Sequence, residues 1–288
     1  MTKKGRIPKE IFNVIELQDA LILNFLSSLP KKLDLLESHD ECYLKIYQII
    51  QHANAVSTLA KKNNSFYPSA LILSRSALES AVTVAWILQS KNIYENEARW
   101  LRIALKSKNS EFNFGFKYIK HMEDMPESER IKQTNENIQI KRWYEDIVKV
   151  LEESFPGQYD YHSPVPDMKK MCEELNFNEL YFYFSHTSQY VHGGFVSTQL
   201  YRRGYGAKKG MRDLIRPSFW TYCFYLTSMS IFNAGKIFLE RTDGNVDRFQ
   251  NFNFSELDNA FQELIKINDK KNNASDPLSQ YLSRYSSS

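Results

Sequence analysis

The chain has 288 residues, 42% of them hydrophobic and 14% aromatic, and a formal net charge of +3 at pH 7. That content supports a substantial core in one large domain or two small ones. The slight positive balance excludes a globally basic nucleic-acid binder, so any such contact has to come from local clustering. Cys42, Cys172 and Cys223 are odd in number and form no CxxC pair, which argues against a disulfide framework and against a thiolate zinc site.

In chain order, nearly every segment has helical period. The opening, MTKKGRIPKEIFNVIEL, is basic but runs directly into an amphipathic pattern. With no continuous apolar region and no small-residue cleavage site, the expected location is cytoplasmic. Residues 8–27 start near Pro8 and repeat apolar side chains at Ile11, Val14, Ile15, Leu21 and Ile22. Pro30 ends that helix, and a second is predicted over 41–62. Asn63 to Ser65 read as a loop, and Pro68 stands where a first helical turn tolerates it. The helix that follows runs to residue 90. No proline lies between Pro68 and Pro126, so this region suits two long helices with a turn near Asn92.

A charge-rich amphipathic helix is predicted over 127–155, stopped by Pro156–Gly157. GQYDYHSPVPD is the clearest loop, with Asp160 and His162 as turn residues. A short helix from 167 and a longer one from 178 follow. Gly193, Gly194, Gly204, Gly206 and Gly210 mark a turn and an irregular loop, and Pro217 restarts helix to residue 240. A last helix over 255–268 leads into a polar tail. Ser218 to Gly235 carries no charge and approaches the length of a membrane span. Its Ser218, Thr221, Thr227, Ser228, Ser230 and Asn233 instead favour a buried core helix, so no membrane association is expected. The expected fold class is all-α: a helical bundle over 41–269, an N-terminal helical extension over 1–40 and a disordered tail over 270–288.

Three segments could carry chemistry. In "LILSRSALESAVTVAWIL", residues 71–88, Arg75 and Glu79 lie one turn apart within an apolar helix. Charges there need partners. Either they form a buried ion pair that sets helix register, or Arg75 points into a pocket and Glu79 orients it. In "YFYFSHTSQYVHGG", residues 181–194, Ser188 and His192 share a helix face with Ser185 and Tyr181 nearby, and His186 and Tyr190 line another. An imidazole in a last helical turn is favoured in its protonated form by the helix dipole. The loop "YRRGYGAKKGMRDLIR", residues 201–216, sets Arg202, Arg203, Lys208, Lys209, Arg212 and Arg216 against a single Asp213, with Tyr201 and Tyr205 interleaved. Such a loop can follow a phosphate backbone while its tyrosines stack on unpaired bases; the plain alternative is a solvated basic loop. No metal or cofactor motif is present, so none is expected.

Arg75-Ser-Ala-Leu-Glu79 in an apolar helix, followed by Ser185 and then His192–Gly193, resembles a bacterial all-helical family of unknown function, itself similar to the HEPN ribonuclease fold. The resemblance spans roughly residues 40–240. It implies a helical, dimeric, metal-independent ribonuclease of the toxin or phage-defence type, whose motif is an arginine four to six residues before a histidine. Here Ser185, His186 and Thr187 occupy that interval before His192, and Arg75 is the substitute cation. Two expectations follow. One is an endoribonuclease with His192 as acid/base, Arg75 as phosphate clamp held by Glu79, and Ser185 or Ser188 on a phosphate oxygen. The other is a non-catalytic helical module of a defence or toxin–antitoxin system, in which Arg75, Glu79 and His192 form a buried network and the partner is a protein from the same operon.

Overall fold

A computed structural model describes residues 8–32, 36–62, 66–121, 126–161, 163–191 and 219–269. Its regular structure is α-helical, with no strand among the described residues: α1 (Lys9–Ser28), α2 (Glu37–Lys62), α3 (Tyr67–Ile87), α4 (Ile93–His121), α5 (Glu127–Ser154), α6 (Met168–Glu174), α7 (Asn178–Val191), α8 (Phe219–Arg241), α9 (Val246–Gln250) and α10 (Phe254–Asp269). The expected tail, 270–288, lies outside the described residues. Local chemistry explains the boundaries. Pro68 sits in the first turn of α3, where a missing N–H costs nothing. Asp167 and Asn245 cap α6 and α9, their side chains accepting from the N–H of Lys170 and Arg248 at 2.9 Å. Gly157 follows α5 with φ +69°, a conformation that glycine adopts without strain. The five-residue α9, absent from the sequence reading, is held by the Asn245 cap and by Phe249, which is fully buried.

The core is organised around α3 and α8. Helix α3 packs on α2, α8, α7, α6 and α4, and α8 packs on α3, α2 and α1. The uncharged segment that approached span length is therefore the core helix α8, with Trp220, Phe224, Leu226, Ile231, Phe238 and Leu239 buried. Among the described residues α3, not α8, is long and apolar enough to cross a membrane, with a mean hydropathy of 1.3, and 61% of that stretch is buried inside the protein. Helix α1 shares this core: Ile11, Val14, Leu21 and Phe25 are fully buried in the same cluster. Phe25 lies so close to Gly235 of α8 that a Cβ there would fall 2.9 Å from the ring.

Polar ties set how the helices meet. Gln18 of α1 is fully buried, and its amide donates to Ser57 Oγ at 3.2 Å and to the Ala53 carbonyl at 3.4 Å on α2. Its oxygen accepts from Thr227 at 2.7 Å and Ser228 at 3.2 Å on α8. One side chain thereby joins three helices, and a buried amide is tolerated because both of its ends are satisfied. Arg241, ending α8, donates to the carbonyls of Leu88, Gln89 and Ser90, placing a cation on the turn that follows the C-terminus of α3. Glu97 of α4 accepts from the backbone and hydroxyl of Ser38 in the first turn of α2.

Two measurements test these ties. Gln18→Ala removes the bridge, leaves a void and strips Ser228 of its acceptor, so urea unfolding should show a loss of about 2–3 kcal/mol. His39 and His52 have buried Nε2 atoms with no hydrogen-bond partner among the described residues. Burial lowers both pKa values from about 6.5, and Arg241 adds to the lowering at His39. The unfolded chain then binds these protons first, so their stabilising contribution is complete above pH 6.5 and is lost as pH falls toward the folded values. The Tm of the wild type should drop more steeply below pH 6.5 than that of a His39→Gln, His52→Gln double variant.

Candidate functional site

Helix α7 packs across α3, and this seam brings together two of the residues singled out in the sequence. Arg75 Nε donates to Ser188 Oγ at 3.1 Å. Ser188 in turn donates to the Phe184 carbonyl at 2.8 Å, and the guanidinium carbon of Arg75 lies 4.6 Å from the centre of the Phe184 ring. On the other side, Arg75 Nη1 is 3.6 Å from Glu79 Oε2. The guanidinium is thus oriented by a hydroxyl, a ring face and a carboxylate at once.

The expected burial of the ion pair is corrected by the exposures: the Arg75 side chain is 16% exposed and the Glu79 side chain 49%. Phe184 and Ser188 cover the arginine, whereas Glu79, one turn further along α3, faces solvent. An ion pair exposed on one side contributes little, at most about 1 kcal/mol. The ring contact and the hydrogen bond therefore do most of the positioning of the cation. Phe184 was not selected from the sequence. Its signal was the one-turn spacing to Ser188, which puts ring and hydroxyl on one face of α7.

The other site residues are placed as follows. Ser185 is exposed on α7, three residues before Ser188, and Tyr181 stacks on Phe184 with ring centres 6.3 Å apart and planes at 26°. His192 and the basic residues Arg202, Arg203, Lys208, Lys209, Arg212 and Arg216, with Tyr201 and Tyr205, lie outside the described residues, as does the side chain of His186. Among the described residues no group of His, Cys, Asp and Glu side chains is arranged to hold a metal ion. The three cysteines are free and buried. Burial pushes their thiols up, that of Cys172 to about 11, so none supplies a thiolate near neutral pH.

A second polar cluster gathers at the end of α3. Trp86 Nε1 donates to Glu174 Oε2 at 2.7 Å, and the guanidinium carbons of Arg99 and Arg102 each lie 5.3 Å from its ring centre. Arg99 donates to the Trp86 carbonyl and to Glu95, and Arg102 to the carbonyls of Ser163 and Pro164. Asp160 accepts from the Ser163 N–H at 2.8 Å, the turn role expected of it. This cluster borders a cavity of about 540 Å³. Within it Arg102 ties Ser163 and Pro164 to α4.

Residues 42–204, which include α2 to α7 and both polar clusters, match a family of unknown function, DUF5677. No curated protein and no solved structure matches the chain.

Removing either side of the α3–α7 contact should reveal its strength. Arg75→Ala and Ser188→Ala, with the double variant, should give a coupling of about 1–2 kcal/mol in a double-mutant cycle by urea unfolding. Glu79→Ala should cost less than about 1 kcal/mol.

Proposed function

We infer that this chain, which belongs to the DUF5677 family, is an RNA-directed, metal-independent endoribonuclease of the toxin or anti-phage defence type, working in the cytoplasm. The observation that carries the reading is the Arg75–Ser188 hydrogen bond between α3 and α7. It holds a cation against α7, whose last residue, Val191, precedes His192 in the sequence. In the HEPN-like scheme the arginine and histidine come from one helix; here the cation comes to α7 from α3. Attack of a ribose 2′-OH on its own phosphate needs a base and a stabilised anionic transition state. His192 would take the hydroxyl proton, and Arg75, oriented mainly by Ser188 and Phe184, would face the phosphate. Ser188 already donates to the Phe184 carbonyl, so the exposed Ser185 is better placed to bind a phosphate oxygen. Arg202, Arg203, Lys208, Lys209 and Arg212 would follow the RNA backbone, with Tyr205 against a base. The HEPN resemblance adds a homodimer as the working form.

The same geometry supports a second reading. A guanidinium engaged by Ser188, Glu79 and Phe184 together also serves as a latch between two helices. On that reading the chain is a non-catalytic module that meets a protein partner from its own operon, and the arginine missing before His192 is in keeping with it.

The mechanism fixes the outcome of one experiment. Cleavage of single-stranded RNA should survive EDTA, leave a 2′,3′-cyclic phosphate and spare a substrate with 2′-deoxyribose at the cut. His192→Ala should lower the rate by ~10²–10⁴-fold with its Tm unchanged. Cutting of the deoxy substrate, or full activity of His192→Ala, would sink the mechanism. No cleavage of any RNA, together with a loss of stability in His192→Ala, would establish the module.

A further inference from the structure

Helices α4 and α5 run as a hairpin whose base is wedged open. Between them lies a cavity of about 700 Å³, walled by one face of each helix and by Ser163, Pro164 and Val165. The volume is in the range of small-molecule sites. Arg102, Lys106, Ser110 and Asn113 of α4 all line it, and their spacing puts them on one face of that helix. On several other helices a cation stands one turn from a carboxylate, as Arg99 does from Glu95, Lys141 from Glu145 and Lys236 from Glu240. Arg102 and Lys106 instead stand one turn from each other. Two like charges so placed destabilise a helix, and an anion between them removes the repulsion.

Neither cation has a carboxylate partner among the described residues. Arg102 Nε and Nη2 donate to the carbonyls of Ser163 and Pro164, and its guanidinium carbon lies 5.3 Å from the Trp86 ring centre. These neutral contacts fix its orientation, leave its charge uncompensated and leave Nη1 without an acceptor among the described residues. Arg102 also borders the cavity beside Trp86, whereas Lys106, which is exposed, lines the wedge and not that neighbour. The two charges therefore converge at the wedge. An oriented guanidinium beside an ammonium matches the shape and the double charge of a phosphate monoester. Further along α4, the side chains of Ser110 and Asn113 are exposed and have no hydrogen-bond partner among the described residues. On the facing wall, Glu145 of α5 meets Lys141 at 3.5 Å through Oε1, which leaves Oε2 to accept. Donors on one wall and a carboxylate on the other suit hydroxyl groups, which both donate and accept. Lys149 and Glu152 of α5 add one charge of each sign, and Leu105 and Val165 offer apolar contact to a short carbon skeleton.

We propose that the wedge between α4 and α5 binds a small polyol phosphate, its phosphate between Arg102 and Lys106 and its hydroxyls between Ser110, Asn113 and Glu145. No residue of α7 lines this space, and the site does not depend on ribonuclease activity.

The probes are glycerol 3-phosphate, ribose 5-phosphate and glucose 6-phosphate, with glucose and inorganic phosphate as controls for each half of the ligand. Isothermal titration calorimetry and thermal melts on the full chain are the readouts. At least one ester should bind at millimolar concentration or below and raise the Tm, while both controls bind at least tenfold more weakly. Lys106→Gln should weaken that binding by about tenfold with the Tm of the free protein unchanged. Lys106→Glu, which sets a carboxylate one turn from Arg102, should abolish binding and hold or raise the Tm of the free protein, a change that loss of a structural residue would not give. If Lys106→Glu lowers that Tm, Lys106→Gln decides the matter in its place. The proposal is overturned if no ester binds, if glucose binds as tightly as the best ester, or if Lys106→Gln retains wild-type affinity. Inorganic phosphate binding as tightly as the best ester would reduce the wedge to a plain anion site and overturn it as well.

Discussion

A guanidinium carried by the most apolar of the described helices has to be satisfied where it emerges, and much of the α3–α7 seam follows from that requirement. Arg75 stands one turn from buried Leu71 and Leu78, on a helix packed by five others. Water reaches it poorly, so its donors need protein acceptors. Helix α7 supplies a hydroxyl from Ser188 and a ring from Phe184 in one turn, and the solvent edge supplies Glu79. The result is a cation with one orientation and only a small exposed edge. That arrangement can stabilise developing negative charge without reorganising, and it equally fixes how α7 lies on α3.

The remaining polar groups of the core obey the same demand. Gln18 would be a costly guest if its amide met only apolar neighbours, but α2 and α8 present two hydroxyls to its oxygen and a hydroxyl and a carbonyl to its nitrogen. Ser230 and Ser74 turn their hydroxyls back on their own helices, to Leu226 and Ala70. The helix ends are closed by groups from other helices, Arg241 at the end of α3 and Glu97 at the start of α2. Because each such bond has one acceptable geometry, the set restricts helix register in a way that apolar burial alone does not.

The α4–α5 hairpin is built differently. Of α4, only Asn96, Ala98, Trp100 and Leu101 are buried among the residues whose side chains are described, and of α5 only Val148. Its attachment is polar and aromatic: Arg99 and Arg102 over Trp86, Tyr94 against Phe155 with ring centres 4.4 Å apart, and the loop carbonyls on Arg102. A hairpin joined to the bundle at its base can hold open a space that the close-packed α3–α8 core does not allow. The seam at α3–α7 and the wedge at α4–α5 are thus two environments in one chain, the first set by packing and the second by an incomplete closure.

Helical period, proline positions and glycine clusters were enough to place most elements, because they act within a few residues: Pro68, Pro126 and Pro156–Gly157 punctuate the helices that the structure contains. The i,i+4 spacing also predicted that Arg75 and Glu79 would meet. Whether they would be buried was a different matter. Burial depends on which part of α3 is covered by a helix more than a hundred residues away in sequence, and periodicity carries no information about where that helix lands. The same holds for Phe184, an ordinary apolar residue until α7 sets it under the guanidinium. It holds also for Gln18, whose partners are spread over α2 and α8. The five-residue α9 escaped notice because it is too short to show a period. The sequence by itself therefore determined the helices and the residues with chemical capacity, through interactions local along the chain. Only the tertiary structure decided which of those residues share an environment, since that follows from packing between segments distant in sequence.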